Sequence, residues 1–359
     1  MKNMKKILAV MLALAMVFAL AACGGNTATD EGASADAQTE DAAATDDAAA
    51  PSGERTEADA NLDYASCDLS GKNIGYVTIN SSAPWGGLVG TSFEQYAEEV
   101  GANVNALDAQ TNADQVTEYA QQMIDAGVDA LVIFGGDINA NAEIAKTAYD
   151  AGVPLFMAAL DVAESGRDYV AAVVGPDQEQ MTADIAAYVV EENGTEEEFT
   201  VVQINGVPFL EDYIERCAGF QGYMADYPNY DLSAEPADCY SSRTDAKTAM
   251  EEFMTGYDVD IVMGYDDDLT MGAVQAIEEA GKTGEIKVYS LTGQNDAIQA
   301  VADGQMQLTV INRAQDIGAG LVTAIAEYLE TGSTTYYQRT PLTYVTPDNV
   351  DDYIGQGEF

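Results

Sequence analysis

From Lys72 onward, short apolar segments alternate with amphipathic helical patterns, and this alternation limits the fold more than any other feature of the chain. The tetrapeptide Asp-Ala-Gly-Val begins at Asp125 and again at Asp150, each time where a helical pattern ends. Its glycine is typical of a helix C-cap that leads into the next strand. Strands that alternate with helices in this way predict parallel sheets with helices on both faces. The predicted strands cover residues 74–79, 104–107, 130–134, 153–158, 170–174, 200–204, 259–263, 286–291 and 307–311.

The series of strands and helices falls into two parts, because a second run of strands begins after Gly175. We therefore predict an α/β fold with two similar lobes, each built on a doubly wound parallel sheet. Ligands of such sheets bind beyond the carboxyl ends of the strands. Two facing lobes are expected to enclose a ligand between them.

The first 22 residues have the pattern of a secretion signal, with three lysines followed by an apolar run that ends at Ala22. By length alone this run is close to the roughly 17 residues that the shortest membrane spans need. The motif Leu-Ala-Ala-Cys-Gly at residues 20–24 resembles a bacterial lipobox. It predicts that residues 1–22 are removed and that Cys23 is lipidated, which anchors the protein to the outer face of the cytoplasmic membrane. The alternative is an ordinary small-residue cleavage site with an incidental cysteine.

Residues 23–70 are mostly Ala, Thr, Ser, Gly, Asp and Glu, which is too little apolar surface to offset the entropy of ordering. We predict that this segment is a disordered acidic tether. The whole chain has 61 acidic and 14 basic residues; loss of the signal leaves 11 basic residues and a net charge of −50. Such a charge repels nucleic acid and anionic lipid, so contact with the membrane is expected only through the lipid anchor.

The sequence offers little for catalysis or metal binding. It has no histidine, no Gly-x-Ser-x-Gly elbow, no Walker-type glycine loop and no Cys-x-x-Cys. Paired carboxylates can hydrolyse glycosides, but among 61 acidic residues a chance pair carries little weight. We predict that the protein is not an enzyme and holds no metal or cofactor. Besides Cys23 there are three cysteines, of which Cys217 and Cys239 form either a disulfide or two free thiols.

A loop with the only tryptophan of the chain follows the first predicted strand. Pro84, Trp85 and a glycine pair lie in this loop, and a helical pattern begins near Leu88. An uncharged polyol needs flat apolar surfaces for stacking, together with carboxylates and amides that pair with its hydroxyls. We therefore predict that this loop is one wall of a ligand cleft.

Together these motifs resemble a type 1 periplasmic binding protein, and among such proteins the ribose- and galactose-binding receptors of ABC importers. The resemblance covers Lys72 to the C-terminus and implies three hinge crossovers, near residues 175–177, 312 and 339. It implies a first lobe of residues 72–176 plus 312–338 and a second of 177–311 plus 339–359. The motifs are the lipobox, the tether, Ile-Gly-Tyr at 74–76, Pro-Trp at 84–85, Leu-Asp-Ala-Gln at 107–110, Asp-Asp-Asp-Leu-Thr-Met-Gly-Ala at 266–273 and Val-Thr-Pro-Asp-Asn-Val at 345–350.

The same resemblance implies the residues that contact the ligand. Trp85 matches the stacking aromatic after the first strand, and Tyr240 lies in the region of the opposing aromatic. Asp266 follows a strand where the family has a ligand-binding Asn or Asp, with Asp267 and Asp268 expected to cap the next helix. Asn312 matches an amide of a hinge strand. The remaining predicted contacts are Ser82, Asp161, Phe209, Asp212 and Thr292.

Several polar groups of sugar receptors are absent here. Ala83 stands where these receptors have Asn or Asp, Ile214 replaces an arginine, and Thr292 replaces an aspartate. The Asp-Arg pair expected after Ala158 is replaced by Ala-Leu-Asp at 159–161, although Arg216 keeps the pattern of the neighbouring helix. A less hydroxylated or differently shaped ligand than ribose or galactose is therefore expected.

The sequence predicts an extracytoplasmic receptor that acts as a monomer. It binds a sugar or sugar-like solute between its lobes and delivers that solute to an ABC permease. One alternative is a ligand-sensing receptor for a signalling partner. Another is an importer receptor for a non-sugar ligand such as a nucleoside or an autoinducer.

Overall fold

A computed structural model describes residues 56–208, 210–240 and 242–358. Strands and helices alternate along most of these residues. The strands are β1 (Glu57–Asp59), β2 (Asn73–Thr78), β3 (Asn103–Asp108), β4 (Ala130–Phe134), β5 (Leu155–Ala158), β6 (Val170–Gly175), β7 (Phe199–Asn205), β8 (Tyr230–Asp231), β9 (Ala237–Asp238), β10 (Ile261–Gly264), β11 (Lys287–Tyr289), β12 (Thr309–Asn312), β13 (Tyr337–Arg339) and β14 (Leu342–Val345). The α-helices are α1 (Pro84–Glu99), α2 (Ala113–Ala126), α3 (Ile138–Asp150), α4 (Gln178–Asn193), α5 (Glu211–Met224), α6 (Arg243–Gly256), α7 (Asp267–Glu279), α8 (Asn295–Ala302) and α9 (Ala314–Thr331).

The first lobe is built on a seven-stranded sheet in the order β1-β13-β6-β5-β4-β2-β3, and each of its pairings is parallel. Successive side chains of a strand point to opposite faces. Tyr76 of β2 accordingly packs in a core with Phe93 of α1 and Leu321 of α9, whereas Val77 packs in a second core with Val116 of α2. Helices thus cover both faces, as an all-parallel sheet requires.

The second lobe has the same plan. Parallel strands β11, β10 and β7 form its centre, and the short strands β8 and β9 pair with opposite ends of β7. Two isolated parallel bridges, Tyr289 to Leu308 and Thr292 to Ile311, connect this sheet to β12, which pairs antiparallel with β14. One core lies against α4 and α5 and the other against α6, α7 and α8. The prediction of two wound parallel-sheet lobes is confirmed.

The chain passes between the lobes three times. The first passage runs from β6 to α4, the second from β12 to α9 and the third from β13 to β14. Each passage is only a few residues long, so the two lobes share three short connections.

Ordered structure begins earlier than the composition predicted. The tether was expected to extend to residue 70, but β1 pairs with β13 through Ala58 and Gln338. Leu69 is only 1% exposed and belongs to a core of the first lobe. Backbone pairing and this one buried side chain order a segment whose composition predicts disorder. Cys23 and most of the predicted tether lie outside the described residues.

The helix after β2 begins at Pro84 rather than near Leu88, so Trp85 lies in its first turn and not in a loop. Proline is favoured at the first helical position because its missing N–H needs no partner there. The two glycines are required by packing rather than by a turn. A Cβ atom on Gly86 would lie 2.7 Å from the Phe134 ring, and one on Gly87 would lie 2.6 Å from the Ser81 carbonyl oxygen.

Cys67, Cys217 and Cys239 are free thiols. Burial raises the pKa of Cys217 and of Cys239 to about 11, so both are protonated at neutral pH. Of the two alternatives for this pair, the structure therefore has the free thiols. Within the described ranges, no helix has the length and apolar character needed to cross a bilayer.

Gly219 allows α5 to pack closely against α4, and this generates a stability prediction. A Cβ atom at residue 219 would overlap the carbonyl oxygen of Glu179, which is backbone and cannot rotate away. We expect Gly219→Ala to lower the free energy of unfolding by about 2 kcal/mol, measured by urea denaturation. The matched control is Gly222→Ala in the same helix, where a Cβ meets nothing within 4 Å, and which should stabilise by up to about 1 kcal/mol. Equal unfolding midpoints for the two variants would contradict this packing.

Candidate ligand-binding cleft

The predicted site residues follow the carboxyl ends of parallel strands in both lobes. In the first lobe Trp85 comes after β2 and Asp161 after β5; in the second, Asp212, Asp266 and Thr292 come after β7, β10 and β11. Such positions line the crevice in which doubly wound sheets bind ligands. The fold therefore brings residues from distant parts of the sequence to the strand ends of both lobes, where the predicted cleft lies.

Trp85 and Asn312 contact each other. The Nε1 atom of Trp85 donates a hydrogen bond of 2.9 Å to the backbone oxygen of Asn312, and its ring packs against Phe134 with centroids 6.0 Å apart. Asn312 is the last residue of β12, where the chain passes between the lobes, and it is 1% exposed. Its side-chain Oδ1 has no hydrogen-bond partner among the described residues. The indole is thus fixed against a hinge strand while it remains partly exposed.

Asp161 is already engaged within the first lobe. Its carboxylate pairs with Arg167 at 2.8 Å and accepts hydrogen bonds of 2.7 Å from the Tyr336 hydroxyl and the Val162 amide. These bonds fix the carboxylate and neutralise its charge. A ligand contact by Asp161 stays a prediction, and it would have to share this network.

Asp212 lies in the first turn of α5 and faces Arg216, with 3.6 Å between its Oδ2 and the guanidinium. Arg216 is only 6% exposed. It also donates to the Gln178 side chain at 2.8 Å and to the Tyr265 carbonyl at 3.0 Å. Arg216 therefore connects α5 to the start of α4 and to the end of β10, and its ion pair fixes the Asp212 carboxylate.

The three consecutive aspartates have three different environments. Asp266 is the N-cap of α7 and accepts a 2.8 Å hydrogen bond from the amide of Asp268, so the expected capping role belongs to Asp266. Burial raises the pKa of Asp266 to about 6, and the nearby charge of Arg216 opposes this shift. Asp267 is completely buried, and Asp268 forms a 2.6 Å ion pair with Arg243. A contact between Asp266 and the ligand stays a prediction.

The other predicted residues are less closely connected. Thr292 is 8% exposed, has a φ of 109°, and its hydroxyl accepts from the Asp267 amide at 3.2 Å. Tyr240 is 60% exposed, and Ser82 is exposed with its amide bonded to Asn80. Neither Tyr240 nor Ser82 contacts another predicted site residue within the described part of the chain. Phe209 lies outside the described residues.

Glu215 was not predicted as a site residue, yet its pKa is strongly raised. It is partly buried on α5, and within the described residues no hydrogen bond or ion pair satisfies it. Burial is the main reason that its pKa is raised to about 7. Four further carboxylates contribute by repulsion, namely Glu211, Asp212, Asp161 and Asp177. A sequence with 61 acidic residues contains no local signal that sets this one apart.

The cleft contains carboxylates without the geometry of a metal centre. Among the described residues, no cluster of three or more His, Cys, Asp or Glu side chains is arranged to hold a metal ion. Carboxylates and an amide can instead pair with the hydroxyls of a ligand, and an indole ring can stack on its apolar face.

A family profile described as a periplasmic binding protein domain matches residues 74–334. The chain belongs to the periplasmic binding protein family. Among curated relatives of this binding protein, the ribose import binding protein of Bacillus subtilis is 30% identical over 226 residues, which cover 63% of this chain and 71% of that protein. The galactofuranose-binding protein of Escherichia coli is 25% identical over 244 residues, or 66% of this chain and 76% of that protein.

Solved structures show the same fold. A galactofuranose binding protein superposes with a TM-score of 0.72 and 22% identity, and the match covers 80% of this binding protein and 98% of that chain. A solute binding protein of an ABC transporter from Bacillus halodurans with bound myo-inositol has a TM-score of 0.70 and 22% identity, with 81% and 99% coverage. The two-lobed architecture is therefore that of known solute-binding proteins.

The raised pKa of Glu215 generates a prediction about pH. An unfolded glutamate titrates near pH 4.3, so between about pH 4.5 and 7 the folded protein holds a proton that the unfolded chain has released. The unfolded state then binds fewer protons, and stability falls as the pH rises through this window. We expect Glu215→Gln to be more stable than the wild type by roughly 2 kcal/mol near pH 8 and equal to it near pH 4, in urea denaturation.

The matched control is Glu252→Gln, an exposed glutamate of α6, which should follow the wild type at every pH. A constant difference between Glu215→Gln and the wild type across the pH range would show that Glu215 does not hold this proton.

Proposed function

We propose that this binding protein is an extracytoplasmic receptor that captures a sugar-like small polar molecule in its interlobe cleft and delivers it to an ABC permease. The named relatives support this role, since they include import binding proteins for ribose and a binding protein for galactofuranose. In our proposal the receptor acts as a monomer that is anchored to the membrane through Cys23. It binds its ligand without turnover, because Asp161 and Asp212 are paired with arginines and Asp266 caps a helix.

The observation that carries the proposal is the contact of Trp85 with Asn312 at the passage from β12 to α9. Because the indole N–H is bonded to a carbonyl oxygen, the ring is held rigidly and its face is available for stacking. Because the ring is fixed to a hinge strand, its position depends on the relative position of the lobes. A ligand stacked on Trp85 and bonded to Asp266 of the second lobe would therefore favour the closed arrangement.

The apolar start of α5 supports a ligand with fewer hydroxyls than ribose. Ile214 is 46% exposed and Leu210, four residues before it, is 40% exposed. Residues four apart lie on one face of a helix, so these two side chains form a continuous apolar surface. Ala83, at the start of α1, likewise has no polar side-chain group. Such a cleft suits a furanose, a deoxysugar or a cyclitol derivative with one apolar face.

A thermal-shift screen of pentoses, hexoses, deoxysugars, polyols and nucleosides tests the ligand class. A true ligand at 100 times its dissociation constant adds about 2.7 kcal/mol to the free energy of unfolding, which raises Tm by several degrees. We expect a response among the sugars or polyols, confirmed by saturation in isothermal titration. A response to nucleosides alone, or to no compound of the screen, would refute the sugar assignment.

Trp85 provides a direct test of the cleft wall. We expect the ligand found in the screen to change the fluorescence of this single tryptophan and Trp85→Ala to weaken binding at least fivefold, or about 1 kcal/mol. Tyr257→Ala removes an aromatic ring that is 43% exposed at the end of α6 and should leave affinity unchanged. Circular dichroism establishes that both variants are folded. Unchanged affinity in folded Trp85→Ala would remove Trp85 from the binding site.

A further inference from the structure

A second pocket lies in the first lobe, between α1 and the edge of the sheet formed by β2 and β3. It has a volume of about 540 Å³ and is lined by side chains of both strands and by the exposed edge of the helix. Asp108 ends β3 and Ser81 follows β2, so the pocket opens at the carboxyl edge of the sheet. None of the residues predicted to contact the cleft ligand lines it.

The hydroxyl of Tyr76 reaches this pocket and is not satisfied by the protein. Tyr76 is 1% exposed, and burial raises its pKa well above the usual value, a shift that the nearby Thr78 hydroxyl opposes. Within the described residues, no group forms a hydrogen bond of acceptable geometry with Tyr76 Oη. Gly90 makes room for it, since a Cβ atom there would lie 3.2 Å from Oη. A buried hydroxyl without a partner destabilises the folded protein, so this group requires an explanation.

Two carboxylates line the same pocket. Asp108 accepts hydrogen bonds from the Ser81 hydroxyl at 2.6 Å and the Gln110 amide at 2.7 Å, and these bonds lower its pKa. Glu94 of α1 is partly buried, and no hydrogen bond or ion pair within the described residues satisfies it. Burial and then the charge of Glu98 raise the pKa of Glu94. No basic side chain lines the pocket.

We propose that this pocket binds a positively charged nitrogen group, a guanidinium or an ammonium, through the Glu94 carboxylate and the Tyr76 hydroxyl. Such a group brings several N–H donors and no acceptor, and hydrogen bonds between charged groups are about twice as strong as neutral ones. A bound cation donates a hydrogen bond to the unpaired hydroxyl oxygen of Tyr76 and also compensates the charge of the partly buried Glu94 carboxylate. Asp108, already held by two bonds, adds a fixed negative charge on the opposite wall.

The cation has two sources. It is either a small organic cation in solution or a lysine or arginine side chain of the permease, which would approach the same edge of the sheet when it meets the cleft. The permease source rests on the proposed function, whereas the soluble source does not. Two separate measurements distinguish them.

The first measurement is a titration of the mature chain with methylguanidinium chloride, followed by ¹⁵N NMR at constant ionic strength. Methylurea, a neutral molecule of nearly the same shape, is the control ligand. We expect saturable shifts in the first turns of α1 with methylguanidinium only, and at least tenfold weaker binding in Glu94→Gln and Tyr76→Phe. Glu143→Gln, at an exposed glutamate of α3 that does not line the pocket, should bind as the wild type does.

Tyr76→Phe also reports on the pocket without a ligand, because loss of an unsatisfied hydroxyl should leave the free energy of unfolding unchanged or higher. Poor binding in this variant therefore does not reflect poor folding.

The second measurement is ligand uptake in vesicles that contain the permease. If the permease supplies the cation, Glu94→Gln lowers uptake although its affinity for the cleft ligand is unchanged, and Glu143→Gln does not lower it. A response in either measurement supports the pocket. Lowered uptake in Glu94→Gln assigns the cation to the permease, and methylguanidinium binding with normal uptake assigns it to a solute. Absence of saturable methylguanidinium binding together with normal uptake in Glu94→Gln overturns it. The absence of any sugar ligand in the screen would refute the proposed function but leave the first measurement intact.

Discussion

The buried carboxylate of Asp267 holds the second lobe together at the edge that faces the cleft. It accepts hydrogen bonds of 2.8 and 2.9 Å from the Thr309 hydroxyl and one of 2.9 Å from the Gln294 amide. These bonds join the first turn of α7 to β12 and to the start of α8. Burial is costly for a charged carboxylate and raises its pKa to about 7, although the hydrogen bonds oppose the shift. Because β12 ends at Asn312, whose carbonyl receives the indole of Trp85, the position of the cleft aromatic depends on this buried acid.

Basic side chains are few in this protein, and this determines which carboxylates of the cleft are paired. With 61 acidic and 14 basic residues, most carboxylates have no partner of opposite charge. Among the described residues, Arg167 is paired with Asp161, and Arg216 with Asp212 and two further acceptors, so neither arginine is left for Glu215. Burial is the main reason that the pKa of Glu215 is raised, and repulsion from Asp161 of the first lobe adds to the shift. We propose that drawing the lobes together increases this repulsion and that the hydroxyl donors of a bound ligand offset it.

The fold could be predicted from the sequence because buried parallel strands leave apolar runs between amphipathic helices. The boundaries of helices and strands were less predictable wherever a residue has a tertiary role. The glycines at 86 and 87 have a sequence pattern typical of a turn, but they are needed because a Cβ atom would clash with Phe134 or Ser81. Likewise β1 has the composition of a tether and is ordered only by its pairing with β13. At the site, spacing could place Asp266 and Asn312 at strand ends. It could not reveal that Arg167 occupies Asp161 or that Glu215 has no partner, since both facts depend on contacts across the fold.

The backbone conformation at the predicted cleft is more distinctive than the side chains there. Ala159 has a φ of 64° and Thr292 a φ of 109°, both in the left-handed region that favours glycine, and each lies just beyond the carboxyl end of a cleft strand. Conformations of this kind cost of order 1–3 kcal/mol each and persist only where the surrounding structure enforces them. At both positions the charged groups of ribose and galactose receptors are absent, although the strained loops remain. We therefore propose that the cleft keeps a defined shape with fewer polar contacts, and that its selectivity depends more on the fit of a ligand against Trp85 than on pairing with each hydroxyl.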